Sequence, residues 1–590
     1  MEKNAEKVKR FTLRNEIAAL AAALLFSFTV FFFAPGELYC RNPLEYVLGD
    51  RQILLPMLLL ALAVTAGLTL LGNLLLLINE KLFHGSICLL FGLTLAGYVQ
   101  MTFCNRQMQQ IDGNFSNVYP LDLHTYLNFF LMFLLIVLPL IVYAAFLSAK
   151  KQPKIQYLSG LCMLLMIMQS AGFFSVYIQK QKNVGKKEDY QVSYLSYDPM
   201  LSLSKEKNIM IILLDTMDGY WTDIALEAYP EIADMLEGFT YYQNNISVFP
   251  HTFPSVSQML SGIDYQNQTC ADYLDLIWNS RNLPQILHEN NYTVNMILDG
   301  TTTFQSCGQI ENAVDNIRKI DPPAYNYCGE DGIIPMQIRL ALLRMLPYMM
   351  KEFVEGVDGQ LSNGFIVLEN LPDDFHKTAV TAESDNRFYA YLQANGLRAD
   401  SDKPVFAYYH LDGPHDNNME LESGYELPDT EKYPKKDASH ARTIRADLEI
   451  VDLMLKQMKE LGIFDQTTIL ILGDHGHSPT DFDGFYHEDL PGEILTALMV
   501  KPEGAPHEKL KYDPDTALSN GFIPASVLEY AGIDHSEYGL SFQDVISQKL
   551  NPERRWVYHQ FQGFFADPLL RGEYTVSGNA RDFNNWKKVS

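Results

Sequence analysis

Aspartate and histidine recur in this chain where short apolar runs end. Asp215 follows Asn208–Leu214. His410, Asp412 and His415 lie at or just past the end of Val405–Leu411, and Asp474 and His475 follow Thr468–Leu472. Carboxylate and imidazole together suit zinc, manganese or magnesium. In the turn Gly473-Asp474-His475-Gly476-His477 the flanking glycines let both side chains turn to one ion. Asp215 could supply a third ligand, or it could cap the helical pattern that follows it. A hydroxyl that such an ion could sharpen stands in His251-Thr252-Phe253-Pro254-Ser255-Val256-Ser257. Threonine is a poor nucleophile at neutral pH, and a bound metal lowers the pKa of its hydroxyl. At a helix N-terminus its anion also gains from the helix dipole, and Pro254 fits a first helical turn. The alternative is that Thr252 only caps that helix. His251 and His477 are read as bystanders.

These residues need a scaffold. Asn208–Leu214, Tyr292–Leu298, Val405–Leu411, Thr468–Leu472 and Leu495–Val500 are short apolar runs, as expected of strands buried on both faces. Met336–Phe353 and Ala438–Leu461 carry helical spacing between them. The alternation predicts an α/β domain over about 205–590, with helices on both faces of a central sheet. In such sheets the site forms at the carboxyl ends of the strands, where these aspartates and histidines fall.

The first third is different. Ile17–Ala34, Ile53–Leu77, Ser86–Cys104, Tyr126–Leu147 and Ile155–Ile178 are each long enough to cross a bilayer, which takes about 20 residues. They predict a five-helix transmembrane domain over 1–180, joined by a polar linker over 181–204. No charge stands inside the runs, so a proton or ion path is not expected. The loops rich in Lys and Arg, Lys3 to Arg14, Lys81 and Lys150 to Lys154, alternate to one side. That side should be cytoplasmic, which sends everything after Ile178 outside. Lys180, Lys182, Lys186 and Lys187 run weakly against this orientation. The chain carries a net charge of −26, with +5 in the first 182 residues and −31 in the rest. That balance excludes nucleic acid as a partner, because a phosphate backbone needs basic surface. Of seven cysteines, Cys88, Cys104 and Cys162 fall in or beside apolar runs. Outside the membrane a Cys307–Cys328 disulfide is an option, with Cys270 left over.

The order Asp215 after the first strand, Thr252-Phe253-Pro254-Ser255 opening a helix, and Asp474-His475-Gly476 after a late strand resembles the alkaline phosphatase/sulfatase superfamily. The likeness runs over roughly 205–580. The five spans make the membrane-anchored branch, lipoteichoic acid synthases and phosphoethanolamine transferases, the most similar. The resemblance implies that Asp215, Thr252, Asp474 and His475 hold one divalent metal, zinc or manganese, and that Thr252 is the nucleophile. His410-Leu411-Asp412-Gly413-Pro414-His415 is similar to the His-x-x-Gly-x-His segment of phosphoethanolamine transferases. It implies that His415, and more weakly His410, meet substrate. Asp412 departs from that pattern and is similar to a second-metal ligand, which leaves one or two ions open. His487, thirteen positions after Asp474, matches a histidine that binds phosphoryl oxygen or a second metal.

Sulfatases of the superfamily use a formylglycine made from Cys or Ser in a Cys-x-Pro-x-Arg motif. Here Thr252 takes the nucleophile position and Val256 the arginine position, so sulfate ester chemistry by that route is not expected. The resemblance instead implies transfer of a phospholipid headgroup, phosphoglycerol or phosphoethanolamine, through a phospho-threonine to an envelope glycan or lipid. The expected location is the cell membrane, multi-pass, with an extracytoplasmic catalytic domain. A membrane-tethered hydrolase of phosphate or sulfate esters and a non-catalytic lipid sensor are the alternatives.

Overall fold

A computed structural model describes residues 12–41, 49–105, 122–149, 155–183, 192–266, 268–300, 302–320, 324–326, 332–355, 367–369, 371–376, 380–415, 420–477, 494–560 and 569–589. The chain divides into two compact units. One holds 1–190, 323–370 and 563–565, and the other holds 191–322, 371–562 and 566–590.

The first unit contains five helices long and apolar enough to cross a membrane: α1 (Leu13–Arg41), α2 (Asp50–Ile78), α3 (Glu80–Cys104), α4 (Leu123–Ser148) and α5 (Ile155–Gln181). Most begin three to six residues before the apolar runs do. The reason is capping. Thr12, Asn79 and Asp122 accept from the first-turn backbone N–H groups, so each helix continues through a polar turn that hydropathy does not count. An ion pair with a buried ammonium and a half-buried carboxylate lies near the ends of α2 and α5. The Lys180 ammonium meets Asp50, donates to Tyr39 Oη at 2.8 Å, and lies 4.0 Å from the centre of the Tyr39 ring. Tyr39 and Tyr177 also donate to Asp50, at 2.6 and 2.9 Å. Lys180, which runs against the expected orientation, is therefore neutralised by its own partner.

Two more helices join this unit from far along the chain, α8 (Ile333–Met345) and α9 (Tyr348–Glu355). The spacing over Met336–Phe353 suggested one helix covering the sheet. Instead Leu346, which precedes Pro347, is extended and divides it. Ala341 and Met345 pack with Val30, Ala34 and Met101, while Ile333 packs with Phe33, Tyr39 and Phe173. A Cβ at Gly97 would stand 2.6 Å from Met345 Cε, so that glycine admits the helix. Periodicity defines an apolar face but not what covers it.

The second unit is built on a seven-stranded sheet. Its strands in chain order are β1 (Asn208–Leu214), β2 (Thr240–Tyr242), β3 (Thr293–Ile297), β4 (Val405–Leu411), β5 (Thr467–Leu472), β6 (Leu498–Lys501) and β7 (Lys511–Asp513). They lie in the order β7-β2-β6-β5-β1-β4-β3. The block β5-β1-β4-β3 is parallel, and β6 runs antiparallel to both β5 and β2. β1, β4 and β5 are buried at every position, as parallel strands covered on both faces must be. Met210, Ile212, Leu214 and Ile471 point to one cluster with the long helix α10 (Lys435–Leu461). Ile209, Ile211, Leu213 and Leu470 point to another with α7 (Thr252–Ser261). Leu495–Val500 was expected as one strand. β6 begins only at Leu498, because Leu495 and Thr496 make isolated bridges to Ile246 and Asp218.

Candidate active site

The register of the parallel block brings the site together. Leu214 pairs with Leu411, and Leu213 pairs with both His410 and Leu472. The strands therefore end level, and Asp215, Asp412 and Asp474 leave the sheet at one edge. Two close approaches make this possible. A Cβ at Gly413, whose φ is +55°, would lie 2.8 Å from Leu214 C. One at Gly473 would lie 2.5 Å from Thr496 Oγ1 and 2.6 Å from Met217 O. Both distances are shorter than real Cβ contacts, so only glycine fits.

Thr252 opens α7, with His251 at the N-cap, and Phe253 is non-helical. Its hydroxyl donates to Asp215 Oδ2 at 3.1 Å. Asp215, Asp474 and His475 offer ligand atoms that all lie within 4.8 Å of one another. His475 Nε2 is 3.7 Å from Asp215 Oδ1 and 3.6 Å from Asp474 Oδ2. Its Nδ1 lies 2.6 Å from Gly476 O. A carbonyl only accepts, so Nδ1 carries the proton and Nε2 presents a lone pair to the carboxylates. Asp215 Oδ1 and Asp474 Oδ2 are buried without a hydrogen-bond partner. Two buried acceptor oxygens and an imidazole lone pair aimed at one point fit a divalent cation, and this donor set suits zinc.

The supporting contacts are extensive. Asp474 Oδ1 accepts from Thr216 N at 3.0 Å and from its neighbour His475 N at 2.9 Å. Thr216 holds a left-handed φ of 55°, a sparsely populated conformation for a β-branched residue, and it turns that N–H toward the carboxylate. Ser255 Oγ donates to Asp474 O at 2.8 Å, and Asn520 Nδ2 donates to Gly473 O at 2.8 Å. His410 is buried, and its Nε2 donates to Asp215 Oδ2 at 3.3 Å.

Charge is finely balanced here. Burial pushes Asp215 up, but the His410 hydrogen bond and then the charge of His415 hold it well below the usual carboxylate range. Asp474 moves the other way, raised by burial and then by the Asp215 charge. Two carboxylates this close do not both ionise without a compensating cation. Burial lowers His410, yet the Asp215 contact outweighs it and the net shift is upward. His251 is pushed down to about 3, chiefly by burial, and its ring centre lies 6.1 Å from that of His475.

Other positions named by the sequence fall around this centre. His415 is exposed in the turn Gly413–His415, near enough to lower Asp215. Asp412 is buried and stands outside the close group of ligand atoms. His477 donates its backbone N–H to Asp218 Oδ2 at 3.0 Å, and its ring lies 5.3 Å from Trp221. His487 and Cys328 lie outside the described residues. Cys307 is buried with its Sγ 3.5 Å from Ser193 O.

Several contributors had no sequence signal. Asp385, in the helix Ala382–Asn395, accepts from Gly413 N at 3.2 Å and so supports the His415 turn. His440 Nδ1 donates to Pro414 O at 2.8 Å, and its ring stacks on Trp221 with centres 3.7 Å apart. Nothing in the local spacing of either residue points to the site, since both reach it through tertiary packing.

The sequence matches the Sulfatase family over residues 207–533, more than half of the chain, and the chain belongs to that family. Its members are enzymes that act with a divalent metal. Solved structures that the chain is similar to include the lipoteichoic acid synthase LtaP from Listeria monocytogenes. That one shares 10% identity and a TM-score of 0.38, over 66% of this chain and 85% of that one. Another is the C-terminal periplasmic domain of EcEptC from Escherichia coli, with 11% identity and a TM-score of 0.35 over 60% and 89%. A third is Ps i-CgsB in complex with k-i-k-neocarrahexaose, with 13% identity and a TM-score of 0.41 over 65% and 86%. A search of curated proteins finds no match.

Proposed function

We propose that this chain transfers a phospholipid headgroup, phosphoglycerol or phosphoethanolamine, to a hydroxyl of an envelope glycan or lipid. The observation that carries the reading is the Thr252 hydroxyl 3.1 Å from Asp215, beside two unpartnered carboxylate oxygens. Threonine cannot become formylglycine, so phosphorus chemistry is favoured over sulfate ester hydrolysis. Asp215, Asp474, His475 and Thr252 would hold zinc or manganese. When bound, the ion lowers the hydroxyl pKa and balances charge on phosphoryl oxygen.

Thr252 Oγ1 bonds to phosphorus as the bond from phosphorus to the diacylglycerol oxygen breaks. The proton that Thr252 gives up is matched by the one diacylglycerol takes as it leaves as an alcohol. An acceptor hydroxyl then bonds to phosphorus, the Thr252 ester breaks, and Thr252 regains a proton. His415, exposed at the rim, would meet phosphoryl oxygen, and His410 would hold Asp215 in place. The five apolar helices anchor the enzyme where its donor lies. The loops rich in Lys and Arg support a catalytic domain outside the cell membrane.

The test is mass spectrometry of the full chain after incubation with phosphatidylglycerol and phosphatidylethanolamine. A phosphoglycerol or phosphoethanolamine adduct on Thr252, with release of diacylglycerol, is expected. Absence of an adduct with turnover of soluble phosphodiesters in water would instead establish a tethered hydrolase.

A further inference from the structure

A cavity of about 590 Å³ lies away from the metal-ligand group, within the second unit. Its size falls in the range of small-molecule sites. The loop after Gly424 forms one wall, and the C-terminal end of α6 (Gly219–Ala228) forms the other. The N-terminal end of α6 stands beside the active site, where Asp218 accepts from His477 N. At 1.5 Å per residue, ten residues set the cavity about 15 Å away along that helix.

The lining chemistry is specific. Tyr229, Tyr425 and Tyr433 supply aromatic surface, with the Tyr229 and Tyr425 ring centres 6.1 Å apart and the planes at 69°. Their hydroxyls are already committed. Tyr229 donates to Glu426 O, Tyr425 to Glu449 at 2.9 Å, and Tyr433 to Glu227 at 2.6 Å. What remains on offer is ring face. Charge around it is unbalanced, since Glu227, Glu426 and Asp429 outnumber Lys432. A phosphate or sulfate group is therefore disfavoured.

Two of the rings already hold cations of the chain itself. The Arg445 guanidinium lies 4.2 Å from the centre of the Tyr425 ring, and Lys432 Nζ lies 4.9 Å from that of Tyr433. Lys432 also pairs with Glu227, and both side chains are more than half exposed. An exposed pair of that kind contributes little, so an ammonium brought from outside can replace Lys432 on the ring and on the carboxylate.

We propose that this cavity is a binding site for an ammonium group, with Tyr433 and Glu227 as its contacts and Lys432 as an internal occupant that the ligand displaces. The site does not depend on the reaction proposed above. Its ligand can be an amino sugar of a glycan or the ammonium end of an ethanolamine group whose phosphate stays outside the cavity, which share this chemistry.

The experiment is ligand-observed saturation-transfer NMR on the full chain in maltoside micelles. The probes are glucosamine, ethanolamine and uncharged N-acetylglucosamine. Glucosamine or ethanolamine is expected to bind at least about fivefold more tightly than N-acetylglucosamine, the order of one cation–π contact plus a charge pair. Whichever of the two binds more tightly identifies the source. Lys432→Gln should tighten binding about threefold by removing the competitor. Glu227→Gln and Tyr433→Leu should weaken it, while Tyr433→Phe, which keeps the ring, should not. Thermal melts confirm that each variant is folded. Equal binding of N-acetylglucosamine and glucosamine, or no effect of Lys432→Gln, overturns the proposal.

Discussion

Thr252 Oγ1 stands 3.1 Å from Asp215 Oδ2, although 37 positions separate the two residues in the chain. The hydroxyl donates into a carboxylate whose second oxygen has no partner. That arrangement makes Thr252 the test of the whole site. Thr252→Ala should reduce turnover by roughly three orders of magnitude or more, as loss of a nucleophile does. The melting temperature should stay near wild type, because the side chain is only half-buried. Activity close to wild type in a steady-state assay would remove Thr252 from the chemistry.

His410 is positioned to act through Asp215. It donates to Asp215 Oδ2 at 3.3 Å from a buried position on β4. Partners that orient a ligand in this way are worth about 10–100-fold in metal affinity. His410→Gln should therefore weaken zinc binding by about that factor in a competition titration. Excess zinc should restore much of the turnover. Loss of turnover with unchanged zinc affinity would assign His410 to substrate instead.

Asp474 is raised by burial and then by the Asp215 charge, so a cation between the two carboxylates lets both ionise. Zinc should stabilise the purified protein by about 2.7 kcal/mol at a hundredfold excess over its Kd. In Asp474→Asn that increment should largely vanish, while the metal-free variant melts no lower than metal-free wild type. Equal stabilisation of both proteins by zinc in differential scanning calorimetry would place the metal elsewhere.

Burial pushes Asp385 up to about 7. A carboxyl raised in the folded state stabilises it fully below the unfolded pKa near 4. That contribution is lost as pH rises through about 7. The slope is about 1.4 kcal/mol per pH unit across this window. Asp385→Asn keeps an acceptor for Gly413 N and cannot ionise. In chelator, its melts between pH 5 and 8 should show a flatter decline than wild type. Asp447, raised by burial and then by Asp385, keeps some slope of the same sign. An unchanged slope would mean that Asp385 remains ionised throughout.

Gly473 leaves β5 where a Cβ would meet Thr496 Oγ1 at 2.5 Å and Met217 O at 2.6 Å. Gly473→Ala must displace backbone, which costs about 1–3 kcal/mol, and it shifts Asp474 with it. A fall of that size in denaturant stability together with loss of zinc binding is expected. Normal zinc binding in Gly473→Ala would show that the turn has slack.

Much of this was legible in the residues themselves. Asn208–Leu214 and Val405–Leu411 coincide with their strands, because a parallel strand covered on both faces must be apolar at every position. The same rule located Asp215 and Asp474 at strand ends. Long apolar runs marked the five membrane-length helices, and caps that carry no hydropathy signal extended most of them. Taken by itself Thr252 was visible as a hydroxyl opening a helix, and its role as nucleophile came only with the family resemblance.

What the sequence determined by itself was local: which stretches are apolar, how long they run, and which acids, imidazoles and hydroxyl follow them. Only the tertiary structure decided which of these meet. The level register of β5, β1 and β4 brought Asp215, Asp474 and His475 to one point. Packing added Asp385 and His440 behind the His415 turn. It also assigned the Ile333–Met345 helix to the unit of the five apolar helices rather than to the sheet. An apolar face states that burial is favourable, whereas the partner is fixed by shape and distance, which no single stretch of chain encodes.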